Sequence, residues 1–284
     1  MWIKMLEKAI VVYKPINKCF EKARAISSLL SSHGVRAHII TVDDLSHAEK
    51  ADLKEEVPGL DLLVSVGGDG TFLRSVRAFT SPRNNPLILP YPCGRRNAYY
   101  EHLSFNVEEI VNSVMSGKFF VELLPRSRVC YASKCTYFLN EAVVVSTDLG
   151  KVSTYSVEVV SPSAKSRYSF EGDGVIVSTS PGSSGYNLSA KGPLMAPLTE
   201  AVLITPLNPL QLGVPTAVFP SLASVRVTAK NESCLYVDGD LFAVLKRNSS
   251  IDVTSGFNYA KVIRVLPFRD IMRVAVEYRQ QVLQ

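Results

Sequence analysis

The stretch LVSVGGDGTFLRSVRAF, residues 63–79, decides the fold. An apolar run of strand type stops at Gly67-Gly68, and apolar positions then recur at helical spacing from Phe72 to Phe79. A strand that turns on glycines into a helix is the building unit of an open α/β sheet, and such sheets place ligands at the carboxyl ends of their strands. Gly67 and Gly68 let the backbone turn tightly and approach a ligand closely. Gly70 and Thr71 lead into the helix, whose N-terminal N–H groups favour anions. Phosphate suits that arrangement. Asp69, being negative, does not bind phosphate directly. It is placed to accept a proton from a hydroxyl nucleophile, or to hold a metal that bridges phosphates. The same five letters also fit a plain glycine turn with Asp69 as helix N-cap. Neither G-x-x-x-x-G-K-[ST] nor G-x-G-x-x-G occurs in the chain, so a phosphate site here is of neither common type.

Outward from this stretch the pattern continues. Residues 8–13 (KAIVVY) read as a buried strand and 18–32 as a helix, with Phe20, Ala23, Ile26, Leu29 and Leu30 on its apolar face. His33-Gly34 ends that helix. RAHIITV and LDLLVSV are the next strands, and PLILP (86–90) is a fourth. Strand alternating with helix predicts a parallel sheet with covered faces. From about residue 119 alternating and β-branched runs dominate, punctuated by Gly, Pro, Ser and Asn, which predicts many short strands. The stretch 268–283 returns to helical spacing and is expected to pack back on the first domain. The fold class is therefore α/β plus all-β: a Rossmann-like domain over 1–103 with 266–284, and a β-sandwich-like domain over 104–265.

The bulk properties set bounds. Hydrophobic residues make up 46% of the 284 and charged residues 20%, so the chain can bury a large core. No apolar run is long enough for a membrane span, and the charged N-terminal run reads as a first strand rather than a signal peptide. The net charge of +5 comes from scattered residues, which argues for no nucleic acid and fits a small polyanion such as a nucleotide. The five cysteines (Cys19, Cys93, Cys130, Cys135 and Cys234) form no C-x-x-C and lie near no histidine pair. They predict no structural zinc, buried thiols at Cys130 and Cys135, and a cytoplasmic protein. None of His33, His38, His47 and His102 falls in a metal or triad motif.

Two further stretches carry chemistry. In FLNEAVVVS (138–146), Asn140 and Glu141 enter an apolar strand; they suit a base edge and ribose hydroxyls, or else a solvated strand end. In FEGDGVIVSTSPGSSGYNLSAKGP (170–193), Gly172-Asp173-Gly174 is a turn with a carboxylate, and a loop rich in small residues and hydroxyls follows. Tyr186 could stack on an adenine, and Ser184 and Ser189 could bond sugar or base. Composition alone fits a flexible surface loop. No histidine lies nearby, which argues against a serine hydrolase.

GGDGT at 67–71, NE at 140–141, GDG at 172–174 and the serine-glycine-tyrosine block ending at Pro193 resemble, in that order and spacing, the NAD kinase family. ITPLNP (204–209) and YVDGD (236–240) resemble later blocks of that family. GGDGT alone is shared with diacylglycerol and sphingosine kinases. The resemblance implies a site in the crevice between two domains, and phosphoryl transfer from ATP or polyphosphate to the 2′-hydroxyl of the adenosine ribose of NAD. It implies Asp69 as catalytic base, with Gly68, Gly70 and Thr71 on the phosphates and Asn140 and Glu141 on adenosine and ribose. It implies Asp173 near the nicotinamide half, and Ser184, Gly185, Tyr186 and Ser189 as the adenine-side wall. Mg²⁺ would be held mainly by nucleotide phosphates, with no dedicated protein metal site. The protein would bind small-molecule nucleotides and no membrane, and form a homodimer or homotetramer.

Three departures stand out. LPYPCGRRNAYYEHLS (89–104) replaces a glycine-patterned segment and brings Arg95 and Arg96, which could grip phosphates. Leu210 stands where the family has a histidine, and TSPGSSG replaces T-P-T-G-S-T-A. Two other readings fit the motifs: a kinase of the same superfamily acting on a lipid or other hydroxyl compound, and a nucleotide-binding regulator without catalysis.

Overall fold

A computed structural model describes residues 6–46, 58–93, 98–101, 106–148 and 150–266. The chain forms two compact units, Met1–Leu123 with Ala260–Gln284, and Leu124–Tyr259. Arg95, Arg96 and the stretch 268–283 lie outside the described residues.

The first unit runs β1 (Lys8–Tyr13), α1 (Asn17–Ser32), β2 (Arg36–Thr41), β3 (Leu62–Gly67), α2 (Asp69–Phe79), β4 (Leu87–Pro92) and α3 (Val107–Met115). The strands lie in the order β2-β1-β3-β4, all parallel. Every residue of β3 is buried. A parallel strand covered on both faces has no solvent side, which is why it reads as an unbroken apolar run. Helix α1 packs through Cys19, Ala23, Ile26 and Leu30. Phe20, expected on that face, is exposed instead, because the buried stripe is turned by one residue and Cys19 fills the place. Gly34 adopts φ +83° behind the His33 cap, the left-handed conformation that suits glycine.

Helix α3 is absent from the reading of the sequence. Its start is a capping box: the Glu109 N–H donates to Asn106 Oδ1 at 2.9 Å, and the Asn106 N–H donates to Glu109 Oε2 at 2.8 Å. Residues 104–123, given above to the second domain, carry this helix, and its Val107, Ile110, Val111 and Val114 join the first unit's core.

The second unit continues with β5 (Phe120–Tyr131), β6 (Lys134–Phe138), β7 (Glu141–Ser146), β8 (Ser153–Ser161), β9 (Ala164–Gly172), β10 (Gly174–Thr179) and the single-turn α4 (Tyr186–Ser189). Then come β11 (Ala201–Leu207), β12 (Ala217–Pro220), β13 (Ser224–Ala229), β14 (Ser233–Val237), β15 (Asp240–Leu245) and β16 (Ser249–Arg264). One antiparallel sheet has the order β12-β11-β10-β7-β14-β15; β16, β13, β8 and β9 pair in a second. Val144, Val177 and Ile204 from one sheet pack with Tyr155, Val157, Val227 and Ile251 from the other, the interior of a sandwich. Strand β8 buries every second residue from Ser153 to Val159, which produces its alternating sequence. At its far end β16 carries Lys261 and Val262 into parallel pairing with Leu87 and Ile88 of β4, within the first unit.

The expectation of buried thiols at Cys130 and Cys135 is overturned. Cys19 is bonded to Cys93 and Cys130 to Cys135, and only Cys234 among the five is free. No sequence motif marks these pairs, because the parallel sheet brings the first together across 74 residues, and the β5–β6 hairpin sets Cys130 opposite Cys135. Among the described residues no helix is long and apolar enough to cross a membrane.

Candidate functional site

In the first unit the site is the turn from β3 to α2. Gly68, which has no side chain to cap with, is the N-cap of α2. Asp69, Gly70 and Thr71 are the first three helical residues, whose N–H groups precede the first intrahelical bond. This is the end of a helix that attracts anions. Gly67 is dictated by packing: a Cβ there would lie 2.4 Å from Thr71 Oγ1. Thr71 is buried and turned onto Gly67. Gly70 is exposed with open space around it.

The half-buried Asp69 carboxylate accepts the N–H of Tyr99 at 3.1 Å. Tyr99 stacks on Phe72 with ring centroids 4.7 Å apart. The hydroxyl of the buried Tyr100 donates to the Gly68 carbonyl at 3.0 Å and lies 3.3 Å from Ser65 Oγ. Burial drives the Tyr100 phenol far above its usual range, with the Ser65 bond opposing and the Asp69 charge adding, so it stays a donor. Tyr99 and Tyr100, inside the 89–104 segment, thus grip the glycine turn. They are held in turn by Arg264, which donates to the Tyr99 carbonyl at 2.6 Å and pairs with Glu122.

In the second unit the β6–β7 connection presents Asn140 and Glu141. Thr179 N–H donates to the Asn140 carbonyl at 2.9 Å, Ser178 Oγ donates to the same carbonyl at 3.1 Å, and Thr179 Oγ1 donates to the Leu139 carbonyl. Glu141 is 7% exposed, and no hydrogen-bond partner meets its Oε2 among the described residues. Burial, and next the charge of Asp238, push its carboxyl up to about 8, against the main-chain N–H of Tyr186, which donates to it. The solvated strand end is therefore not what Glu141 occupies. A buried carboxyl with an open oxygen can accept from or donate to a sugar hydroxyl.

The block from Ser180 to Pro193 is not a flexible surface loop. Pro181–Ser184 form a 3₁₀ turn and α4 follows. Asn187, fully buried, donates from Nδ2 to the carbonyls of Ser183 and Pro193 at 3.1 and 3.0 Å, and its Oδ1 accepts from Thr205 Oγ1 at 2.6 Å. This post fixes the turn over Asn140 so closely that a Cβ on Gly182 would fall 2.1 Å from the Asn140 carbonyl oxygen. A Cβ on Gly185 would meet Glu141 Oε2 at 3.1 Å and Asn140 Nδ2 at 3.3 Å. The glycines thus let the polar ends of Asn140 and Glu141 converge beside Gly185. Ser184 is half-buried next to Gly185, the Tyr186 ring is 47% exposed, and Ser189 is exposed at the end of α4.

Asp173 stands apart. Gly174 pairs with Val145 and Ser178 with Glu141, so Asp173 lies at the other end of β10 from Glu141. The separation along the strand is roughly 17 Å at about 3.4 Å per residue. Asp173 Oδ2 accepts from Asn208 Nδ2 at 2.8 Å. Within this unit the structure brings together Asn140, Glu141, Gly185 and Tyr186, and sets Asp173 at a distance. Tyr99, Tyr100, Gly182, Asn187 and Asp238 were not singled out as site residues. All five lie inside stretches quoted above, Tyr99 and Tyr100 in 89–104, Gly182 and Asn187 in 170–193 and Asp238 in 236–240, but nothing local in the sequence marked their contacts.

Two family models match the chain: a diacylglycerol kinase catalytic domain over residues 11–119, and an ATP-NAD kinase C-terminal domain over residues 139–265. The NAD kinase of Aeropyrum pernix is 30% identical over 237 residues, which covers 81% of this chain and 82% of that one. The NAD kinase of Heliobacterium modesticaldum is 28% identical over 274 residues, covering 93% and 95%. The crystal structure of an NAD kinase from Archaeoglobus fulgidus in complex with ATP has a TM-score of 0.73 at 23% identity, covering 96% of this chain and 98% of that one. Yeast NADH kinase complexed with NADH has a TM-score of 0.81 at 20% identity, covering 100% and 89%. The two structural likenesses speak to the fold.

Proposed function

This chain belongs to the NAD kinase family, and on that premise we propose that it transfers the terminal phosphoryl group of ATP to the 2′-hydroxyl of the adenosine ribose of NAD, giving NADP. The protein is an enzyme, an NAD kinase. The observation that carries the finer reading is the convergence of Glu141 Oε2 and Asn140 Nδ2 beside the bare Gly185, next to an exposed tyrosine ring. A carboxyl and an amide at that spacing suit a ribose hydroxyl and a purine edge, and the Tyr186 face suits stacking. A lipid acceptor offers a hydroxyl but neither a purine edge for the amide nor an aromatic base for the Tyr186 ring. A nucleotide-binding regulator without catalysis needs no base, and Asp69 is in place.

In this reading the first turn of α2, through Gly68 and Gly70, holds phosphate. Thr71 supports the turn by packing on Gly67. Asp69, oriented by the Tyr99 N–H, takes the proton of the 2′-hydroxyl as that oxygen bonds the terminal phosphorus and the bond to the leaving ADP breaks. Asn140, Glu141, Ser184, Gly185, Tyr186 and Ser189 hold the adenosine half. Asp173, a strand's length away, is matched to the far half of a dinucleotide. A magnesium ion would be held chiefly through nucleotide oxygens, with the Asp69 carboxylate at the start of α2 as the protein oxygen beside them. When bound, Mg²⁺ neutralises phosphate charge. The protein works as a homodimer or homotetramer in the cytoplasm; with four of five cysteines in disulfides, that location rests on the nucleotide substrates alone.

The test is NADP formation by the purified protein from NAD and Mg²⁺ with ATP in one arm and polyphosphate in the other. Product with ATP is expected. Product with polyphosphate alone would reassign the donor, and product in neither arm would overturn the reading.

A further inference from the structure

Asp238 closes the hairpin between β14 and β15 with φ +48°, and Gly239 follows at φ +86°. Two successive left-handed residues make a tight hairpin turn, for which Asn-Gly serves as well as Asp-Gly. The turn itself therefore needs no charge. Yet Asp238 is a carboxylate, 8% exposed, and the charge of the buried Arg126 acts on it.

The carboxylate faces three consecutive main-chain amides. Oδ2 accepts the Leu139 N–H at 3.0 Å, and Oδ1 accepts those of Asn140 at 2.7 Å and Glu141 at 3.3 Å. The Asp238 N–H donates to the Glu141 carbonyl at 3.0 Å. Thr179 and Ser178 hold the carbonyls of Leu139 and Asn140 from the other side. All six main-chain polar groups of residues 139–141 are thereby bonded, so the backbone has no freedom to trade partners when a ligand arrives. The two side chains, not the backbone, face the place beside Gly185. Glu141 Oε2 is buried without a hydrogen-bond partner among the described residues, and it lies beside Gly185.

We propose that Asp238 is a positioning residue of the NAD site: its carboxylate presets the backbone of the Asn140–Glu141 turn before NAD binds. The inference deepens the NAD kinase reading and rests on it. An amide at position 238 would fill the same turn, but it would direct an N–H₂ at one of the three N–H donors.

The decisive variant is Asp238→Asn, with Asp238→Glu as the conservative companion. Asp238→Asn is expected to raise KM for NAD about tenfold or more while kcat at saturating NAD stays within about threefold and KM for ATP is unchanged. Asp238→Glu, which keeps charge and acceptors, is expected to restore part of that loss. A folded Asp238→Asn protein whose melting temperature falls but whose KM for NAD is that of the wild type overturns the proposal, since that is the mark of a merely structural role. Should Asp238→Asn not fold, hydrogen exchange on the NAD-free wild type decides. Amides 139–141 exchanging as slowly as those of the core strands are expected, and fast exchange that slows only with NAD overturns the proposal. That measurement needs no turnover. A wild type that forms no NADP would sink the functional reading and leave the question of the preset turn still decided by exchange.

Discussion

The main-chain N–H of Tyr99 donates to the carboxylate of Asp69 at 3.1 Å, so a residue thirty positions downstream orients the lone acid of the glycine turn. Asparagine at position 69 keeps the oxygen that accepts this bond and loses only the capacity to take a proton. Asp69→Asn is therefore expected to lower kcat by about 10²- to 10⁴-fold with little change in NAD affinity. NADP formation and calorimetric NAD binding check both halves. Full turnover in the variant would remove Asp69 from its role.

The buried Glu141 makes stability depend on pH. Its carboxyl is raised from 4.5 to about 8, first by burial and then by Asp238, whose own charge is faced by Arg126. Between those values the folded protein holds a proton that the unfolded chain has released. The contribution to stability therefore falls as pH rises from about 4.5 through about 8. Urea unfolding at about pH 6 and about pH 9 should show a larger loss for the wild type than for Glu141→Gln. Equal losses in the two proteins would assign the slope to other groups.

Two neighbouring glycines should differ sharply in tolerance. A methyl on Gly182 meets main-chain oxygen at 2.1 Å, which cannot step aside without moving the Asn140 backbone. A methyl on Gly185 meets side-chain atoms of Glu141 and Asn140 at 3.1 and 3.3 Å, and a main-chain oxygen at 3.0 Å. Gly182→Ala is expected to cost about 2 kcal/mol or more in stability and to raise KM for NAD, whereas Gly185→Ala is expected to stay within about 1 kcal/mol. Paired denaturation and kinetic measurements on the two variants test the contrast. Similar behaviour of both would show that the turn is not seated on Asn140 as described.

The Cys19–Cys93 bond closes a loop across 74 residues. In the chain-entropy view such a cross-link contributes about 2–4 kcal/mol, so Cys19→Ser or full reduction should lower the melting temperature of the first unit. Thermal melts with and without reductant measure it. Identical melts would mean that the thiols are not paired in solution.

Much of this architecture was legible because burial writes itself into periodicity. The parallel strands β1 and β3 are covered on both faces and read as apolar runs, and β8 alternates because one of its faces is solvated. The glycine turn from β3 into α2 was legible because glycine, carboxylate and helix start are adjacent in the chain. What was not legible depends on partners far apart in sequence. Asp238 lies about a hundred residues from the turn it holds, and Cys19 and Cys93 meet only through the sheet. Helix α3 had a local signal in N-V-E-E, but a short amphipathic segment before a long β region is masked by the texture around it. The Ser180–Pro193 block misled by composition, since its small residues serve close packing around Asn187 rather than mobility.

The cross-link between Cys19 and Cys93 has a covalent consequence for everything it encloses. Helix α1 beyond its first turn, β2, β3, the glycine turn and α2 all lie inside one closed ring of polypeptide. A protease that cuts once anywhere within that ring opens the chain without dividing the molecule. On a denaturing gel the nicked protein should run as a single species without reductant and as two fragments with it.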